Sequence, residues 1–388
     1  MAALHSLTPP VHTYLVADLV TNRTLAEIPL TGVRYSKRLN DSGQLSGTFP
    51  LGDPRVRSID PYDLTTPVRR VVYVLRDATP IWGGLVWTRR YDSASQRVTI
   101  GCGDFWSYFD HRKVLPRLPP AAYRDPRVIA ALRVAWTNTE QSRIVGELIA
   151  LTARHDAGDI GITVVPPPGG GSGTVRDRAY AGYQNADVGD ALRKLSAVAD
   201  GPDLAFDVGP ADAHGRPTRR LLVGGPRLGQ QGSAHVWEYG GNLVGYTWPS
   251  DGSRMATRAF AAGDGIEAGT LIAVSEDPEP YRNGWPLLES EHGYSSVTDP
   301  AQLRSHAASD QRVARLPVVL PTLAIHGGLP PTTADFGLGD DARVIIEDAF
   351  HTTGIDTAMR IVGIDVSVGD GGDEAVTLTM NPLLEDVA

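Results

Sequence analysis

The stretch GLVWTRRYDSASQRVTI, Gly84 to Ile100, decides how this chain is to be read. A strand-like run up to Tyr91 gives way to a cluster of Asp, Ser and Ala, and strand character resumes at Val98, the pattern of two strands joined by a polar turn. Near the other end of the chain GIDVSVGDGGDEAVTL, Gly363 to Leu378, echoes it. Gly84 stands 14 residues before Val98 and Gly363 stands 13 before Val376, and a Val-Thr-(Ile/Leu) triplet closes each unit. The likeness reaches one strand further back, because RVIIEDA precedes the second hairpin where RRVVYVL precedes the first. One chain thus writes a three-strand unit twice. Hairpins with Gly/Asp turns are common, so chance likeness is the competing reading.

At 388 residues the chain exceeds the ~250–300 residues at which single cores stop growing, so several domains are expected. Apolar residues at 41% and charged residues at 21% indicate ordinary globular structure, while 42 Gly and 29 Pro cut the sequence into short segments that favour strands and turns. The net charge of −9 comes without any like-charge block, and the basic footprint that nucleic-acid binding requires is missing. An acidic lumen would let a polyanion slide past without sticking. Cys102 is the one cysteine, which excludes an internal disulfide and a Cys-based zinc site and reads as a buried inert thiol. The start, MAALHSLTPPVHTYLV, lacks a secretory signal, and no apolar run is long enough to span a membrane; no membrane insertion is expected.

Four short extended runs, HTYLVADLV, RTLAEIPL, VRYSKRLN and GQLSGTFPL, follow one another as a meander from His12 to Leu51. VRRVVYVLRD, Val68 to Asp77, is apolar on both alternating faces, as suits a central strand covered on both sides. Helices enter in the middle. TEQSRIVGELIALTARH places Ile144, Val145, Leu148, Ile149 and Leu151 at helical spacing, and ADVGDALRKLSAVAD starts at Asp187 as N-cap. Between them PPPGGGSGT, 166–174, reads as a loop or flexible excursion outside any packed core. Later, Asp299 followed by Pro300 gives a clear helix start. The expected fold is mainly β with α+β insertions: two β-barrel or sandwich modules plus a helix-containing middle region. Its parts are a first β domain at 1–110, the insertion at 111–235, a third β/α section at 236–316, and a second β unit at 317–388 packing against that section.

No catalytic constellation, metal site or cofactor site is found. GDGIEA, Gly263 to Ala268, fits a dinucleotide fingerprint but lacks a βαβ unit and is a glycine turn. HDAGD, His155 to Asp159, reads as a solvated turn after a helix, and GDGGDE, Gly369 to Glu374, as a hairpin turn. Glu289 and Glu291, two residues apart on a strand, share a face in the manner of paired glycosidase carboxylates, although a rim or interface cluster is the simpler reading. Trp82, Trp87, Trp106 and Phe109 belong to a dense aromatic segment that either fills the first core and its seam with the helical region or lines a sugar-binding face or a protein interface. Trp106 and Phe109, beside Asp110-His111-Arg112, are the residues expected to make contacts outside that core. The interface candidates are therefore Trp82, Trp87, Trp106, Phe109, Arg112, Glu289 and Glu291.

Four stretches together carry a resemblance over about two thirds of the chain: TPIWGGLVWTRRYDSASQRVTIGCGDFWSYFDHR, TRAFAAGDGIEAGTLIAVSED, WPLLESEHGYSSVTDPAQLRSHA, and the closing LGDDARVIIEDAF with MRIVGIDVSV and EAVTLTM. They resemble the tail-tip hub proteins of long-tailed bacteriophages, also called minor tail, tail-associated or baseplate hub proteins, especially those of actinobacterial hosts. The resemblance implies two tail-tube-like β domains per chain and a homotrimeric hub in the virion, made in the host bacterial cytoplasm and placed at the tail tip. Its implied partners are the distal tail protein ring, the tape-measure protein C-terminus and tail fibre or spike proteins, with DNA only in transit. A tube of six like subunits meets a three-fold hub without mismatch if each chain presents two similar modules. The sequence ends eight residues after Met380, so an appended peptidase, lysozyme or fibre domain is not expected. The alternatives from other classes are a virion-associated cell-wall hydrolase or carbohydrate-binding protein, and the hub of a contractile injection device.

Overall fold

Val71, Val72, Tyr73 and Val74, apolar on both alternating faces, are all fully buried in the middle of a strand, as a centrally placed strand requires. The computed structural model describes residues 9–383 except Ala199, Ser233, Ala234 and Ser296. Strand makes up 41% and helix 19%, so the chain is mainly β with helices concentrated in the middle region. It forms two compact units, one from the described residues up to Gly245 together with those from Leu323 onward, the other from Tyr246–Thr322.

The larger unit opens with seven strands: His12–Asp18 (β1), Thr24–Glu27 (β2), Thr31–Arg38 (β3), Gln44–Pro50 (β4), Arg70–Arg76 (β5), Thr79–Asp92 (β6) and Arg97–Asp104 (β7). All four runs of the expected meander are strands, but they do not form one. β1 pairs β2 on one side and β5 on the other, whereas β3 pairs β4 and then the distant strand Ile355–Val368. The break comes at Ile28 and Leu30, which are buried where a hairpin turn would have to be polar.

The two look-alike units are both antiparallel three-strand ribbons with a strand of 14 residues in the middle: β5–β6–β7, and Asp341–Ile346, Ile355–Val368, Glu374–Pro382. Each central strand carries a bulge. Trp87 stands unopposed between the pairs Val86–Cys102 and Thr88–Gly101, and Val362 between Ile361–Met380 and Gly363–Thr379. Aligned on the bulge, Val98 and Val376 coincide, so the closing triplets are equivalent. The glycines are not, because Gly363 matches Thr88. Gly84 has a local cause: a Cβ there would lie 2.2 Å from the Gly103 carbonyl oxygen and 2.5 Å from the Trp82 ring.

The repeat also extends beyond three strands. The strand order β3-β4-β7-β6-β5 recurs as Leu243–Thr247, Thr322–His326, Glu374–Pro382, Ile355–Val368, Asp341–Ile346. The two sets join edge to edge in one continuous sheet, where Gly363–Ser367 pairs antiparallel with Arg34–Arg38. Among the described residues no ladder closes this sheet into a barrel. It curls nonetheless, since Glu374 reaches across to His12 and Arg76 on the paired strands β1 and β5.

In the middle region the helices Gln141–Ala153 and Val188–Ser196 bury the expected stripes, Ile144, Val145, Leu148, Ile149 and Leu151, and Val188, Ala191, Leu192 and Leu195, while Val198, also expected in the second stripe, lies past the helix end and is half-buried. Asp187 sits at the N-cap position but makes no capping bond; its carboxylate pairs with Lys113 at 2.8 Å. The 166–174 loop is not the free excursion its composition suggests. Ser172 donates from both its N–H and its hydroxyl to Glu140, each at 2.8 Å, and receives the Gln141 amide at 2.9 Å. In the smaller unit, three strands, Ile272–Glu276, Arg258–Ala262 and Glu289–Gly293, lie in that order with one face covered by the helix Pro300–Ala314. Asp299 caps that helix by accepting from the Ala301 N–H at 2.9 Å.

Candidate interface surfaces

Where the two repeats meet, the outward side chains of the sheet floor an open groove of about 780 Å³. Arg34 and Ser36 of β3, Gln44 and Ser46 of β4, Thr88 of β6, and Asp365 and Ser367 of the second repeat line it. Small residues lower the floor, including Gly101, Gly103 and Ser107. One wall is Trp87, whose indole N–H donates to the Ser107 hydroxyl at 2.7 Å and whose ring lies 4.5 Å from that of His111. At one end Arg193 bridges Asp110, at 2.6 and 3.0 Å, and Asp41 at 2.8 Å, and Asp110 above all holds its guanidinium protonated. The seam is fastened by Arg38 to Asp365 at 2.7 Å. Such a surface, polar and crossing five strands, offers recognition by shape and hydrogen bonding.

Asp104 lies buried beside this surface and caps the helix Phe105–Phe109. Burial pushes its carboxyl up to about 7, against the opposing effect of three donors, Gly43 N–H at 2.7 Å, Ser42 hydroxyl at 2.9 Å and Trp106 N–H at 2.9 Å. When the acid takes a proton, the Ser42 hydroxyl has an alternative acceptor in the Gly43 carbonyl at 3.2 Å. A pKa raised in the fold means that the folded state binds more protons than the unfolded state between about pH 4 and 7. Stability from this group is therefore full below about pH 4 and declines as pH rises to about 7, by about 1.4 kcal/mol per pH unit. Compared across that range, the melting temperature of the wild type should fall relative to that of Asp104→Asn as pH rises; parallel curves would contradict it.

The aromatic candidates separate by depth. Trp106 and Phe109, expected to reach outside the first core, are instead fully buried, Trp106 edge-on to Phe206 at 5.8 Å and Phe109 stacked on it at 5.4 Å. Their helix turns both rings into the seam between the first strands and the middle region, where a single apolar cluster runs from Val71 and Tyr73 to Leu192 and Leu221. Trp82 is also buried, its indole donating to the Ser36 carbonyl at 3.0 Å. Trp87 alone of these four borders the groove. Arg112 is half-buried and donates to the Tyr108 hydroxyl at 3.2 Å and the Thr152 carbonyl at 3.3 Å. Glu289 and Glu291 share one exposed face of the smaller unit, far in sequence from the groove; Glu289 is held by Arg258 at 2.8 Å. Sequence reasoning missed Asp110 and Arg193 as partners. They are 83 residues apart, and nothing local marks the pair.

Among the described residues no group of His, Cys, Asp and Glu is arranged to hold a metal ion, and no helix is long and apolar enough to cross a membrane. Cys102 is buried, and burial pushes its thiol up.

No protein-family model matches the sequence, and no curated protein matches it. Solved structures match the fold over nearly its whole length. The 43 kDa tail protein of prophage MuSo2 from Shewanella oneidensis superposes with a TM-score of 0.61 at 12% identity, over 95% of this chain and 98% of that one. The chain has the fold of phage tail proteins. A tail protein from Neisseria meningitidis MC58 gives a TM-score of 0.58 at 13% identity, over 95% of this chain and 96% of the other. The prophage tail protein gp18 from Listeria monocytogenes EGD-e gives 0.51 at 14% identity, over 95% and 94%.

Proposed function

We propose that this chain is a structural, non-enzymatic subunit of a phage tail, acting as a homotrimeric hub at the tail tip. The observation that carries the reading is the pair of edges left over by the repeat. Inside the chain, β3 of the first set pairs with the distal half of the long strand of the second set. The equivalents are Leu243–Thr247, which ends the strand order, and Thr88–Asp92 of β6, which pairs only β7 among the described residues. Joining those two edges between copies repeats the internal contact, a heterologous head-to-tail interface that closes into a ring. Three copies then present six like modules, which is what a six-membered tail tube needs from its closing piece.

In that role the chain binds the distal tail ring on one side, contacts the tape-measure C-terminus and fibre or spike proteins, and opens for DNA. The net charge of −9 favours passage over adhesion. Light scattering after size exclusion should give three times the 41.5 kDa chain mass at high concentration. With Arg90→Cys and Val244→Cys combined, a short bismaleimide should then produce a ladder that stops at three. A strictly monomeric protein, or a ladder stopping at two, would argue against the hub.

A further inference from the structure

In the smaller unit, parity sets which side chains face away from the covering helix. Ala259, Ala261 and Ala273 are buried, and Ala261 and Ala273 cluster with Leu303 and Ala307 of the helix Pro300–Ala314. The opposite face is a three-by-three lattice. Its rows, read across the strands in register, are Glu276, Arg258, Glu289; Val274, Phe260, Glu291; and Ile272, Ala262, Gly293. Ile272 is 65% exposed and Val274 is 55% exposed, an apolar pair that a solvent-facing sheet has no reason to display side by side. Arg258 is already taken by Glu276 at 3.0 Å and Glu289 at 2.8 Å. Glu291 has no side-chain partner among the described residues. Three carboxylates against one guanidinium leave the face with a surplus of negative charge next to its apolar strip.

We propose that this face is the docking surface for a short segment of another protein that presents Lys or Arg beside an apolar stripe. Charge selects the occupant: a second copy laid on the same face would set its carboxylates against these, while a basic segment pairs Glu291 and neutralises the surplus. Size selects its form. Three strands of five residues span roughly 14 Å by 16 Å, far below the ~800 Å² per partner of a standard interface between folded domains, but enough for about three turns of one helix. The inference concerns a surface apart from the edges invoked for the trimer, so either can fail alone.

The test uses the full chain and two labelled synthetic peptides, one of Lys and Leu with the two residue types segregated on a helix, the other with Glu in place of Lys. Fluorescence anisotropy should show the Lys/Leu peptide binding and the Glu/Leu peptide not, with binding weakened as salt rises from about 0.1 M to about 0.5 M. Glu291→Lys and Val274→Ser should each weaken binding about tenfold, while Asp370→Lys, the same charge change on a turn of the larger unit, should not. Unchanged circular dichroism would show that the variants fold, as expected for exposed positions. Equal binding of both peptides, equal effects of Glu291→Lys and Asp370→Lys, or loss of oligomers in Val274→Ser would each overturn the proposal.

Discussion

Glu374→Ala is expected to destabilise the larger unit by about 3–5 kcal/mol, the usual cost of leaving the partners of a buried ion pair uncompensated. The Glu374 side chain is 1% exposed and His12 is 3% exposed. Glu374 accepts from His12 at 3.0 Å, from Arg76 at 3.1 and 3.2 Å, and from the Thr333 hydroxyl at 2.8 Å. No backbone ladder joins its strand to β1 or β5, so this carboxylate is what holds the curl of the sheet at that end. Burial alone would raise its pKa, but the bonds from His12 and Thr333 and the charge of Arg76 outweigh it and leave the group below the usual carboxylate range. A lowered folded pKa contributes stability that is present above the unfolded value and lost as pH falls through the folded one, so the deficit of the variant should shrink in acid. Thermal unfolding with hydrogen exchange on His12–Asp18 would check this. Unchanged protection of β1 in the variant would show that the curl is held by something else.

Arg219→Met should cost about 3 kcal/mol, even though it removes a charge from the interior. Arg219 is 2% exposed and has no carboxylate partner. Its guanidinium donates to the Tyr73 hydroxyl at 2.7 Å, to the Leu19 and Ile160 carbonyls at 2.6 Å each, and to Asn22 at 2.9 Å, and it lies 5.2 Å from the Phe105 ring centre. These acceptors come from β5, from the chain on either side of the β1–β2 turn and from the segment after the helix Gln141–Ala153. One side chain thus ties the first repeat to the middle region. Methionine fills much of the volume but donates nothing, leaving the Leu19 and Ile160 carbonyls without this donor in an apolar cluster, while the Tyr73 hydroxyl keeps its bond to Asn22 at 2.6 Å. Denaturant unfolding would measure the loss. A variant as stable as wild type would mean that water replaces the guanidinium.

These two residues mark where sequence reading stops. In the sequence, Glu374 ends an acidic turn and Arg219 is one of two arginines in a strand of alternating pattern, with nothing to distinguish it from Arg220, which pairs with Asp207 in its own hairpin. Their partners lie 362 and 146 residues away. The aromatic segment was legible as important, but not as core or surface. A short helix turns Trp106 and Phe109 inward while Trp87, displaced by the bulge, borders the groove, and a bulge leaves no mark in a period-2 pattern.

What the sequence by itself determined is local: two hairpins with equivalent closing triplets, a central strand apolar on both faces, two helices with their stripes and the start of a third, and the β-rich class. Each follows from interactions within a few residues along the chain, where period, turn chemistry and capping act. Tertiary structure alone decided that β3 leaves its expected neighbour for the second repeat, that the repeat comprises five strands, and that Leu243–Thr247 and Thr88–Asp92 lack, among the described residues, the ladder their counterparts make with each other. Strand pairing is a choice among edges that are chemically alike, since every edge offers the same N–H and C=O groups. The choice is made by burial of Ile28 and Leu30, by the Arg38–Asp365 seam and by the Glu374 clasp, contacts between residues that only the folded chain brings together.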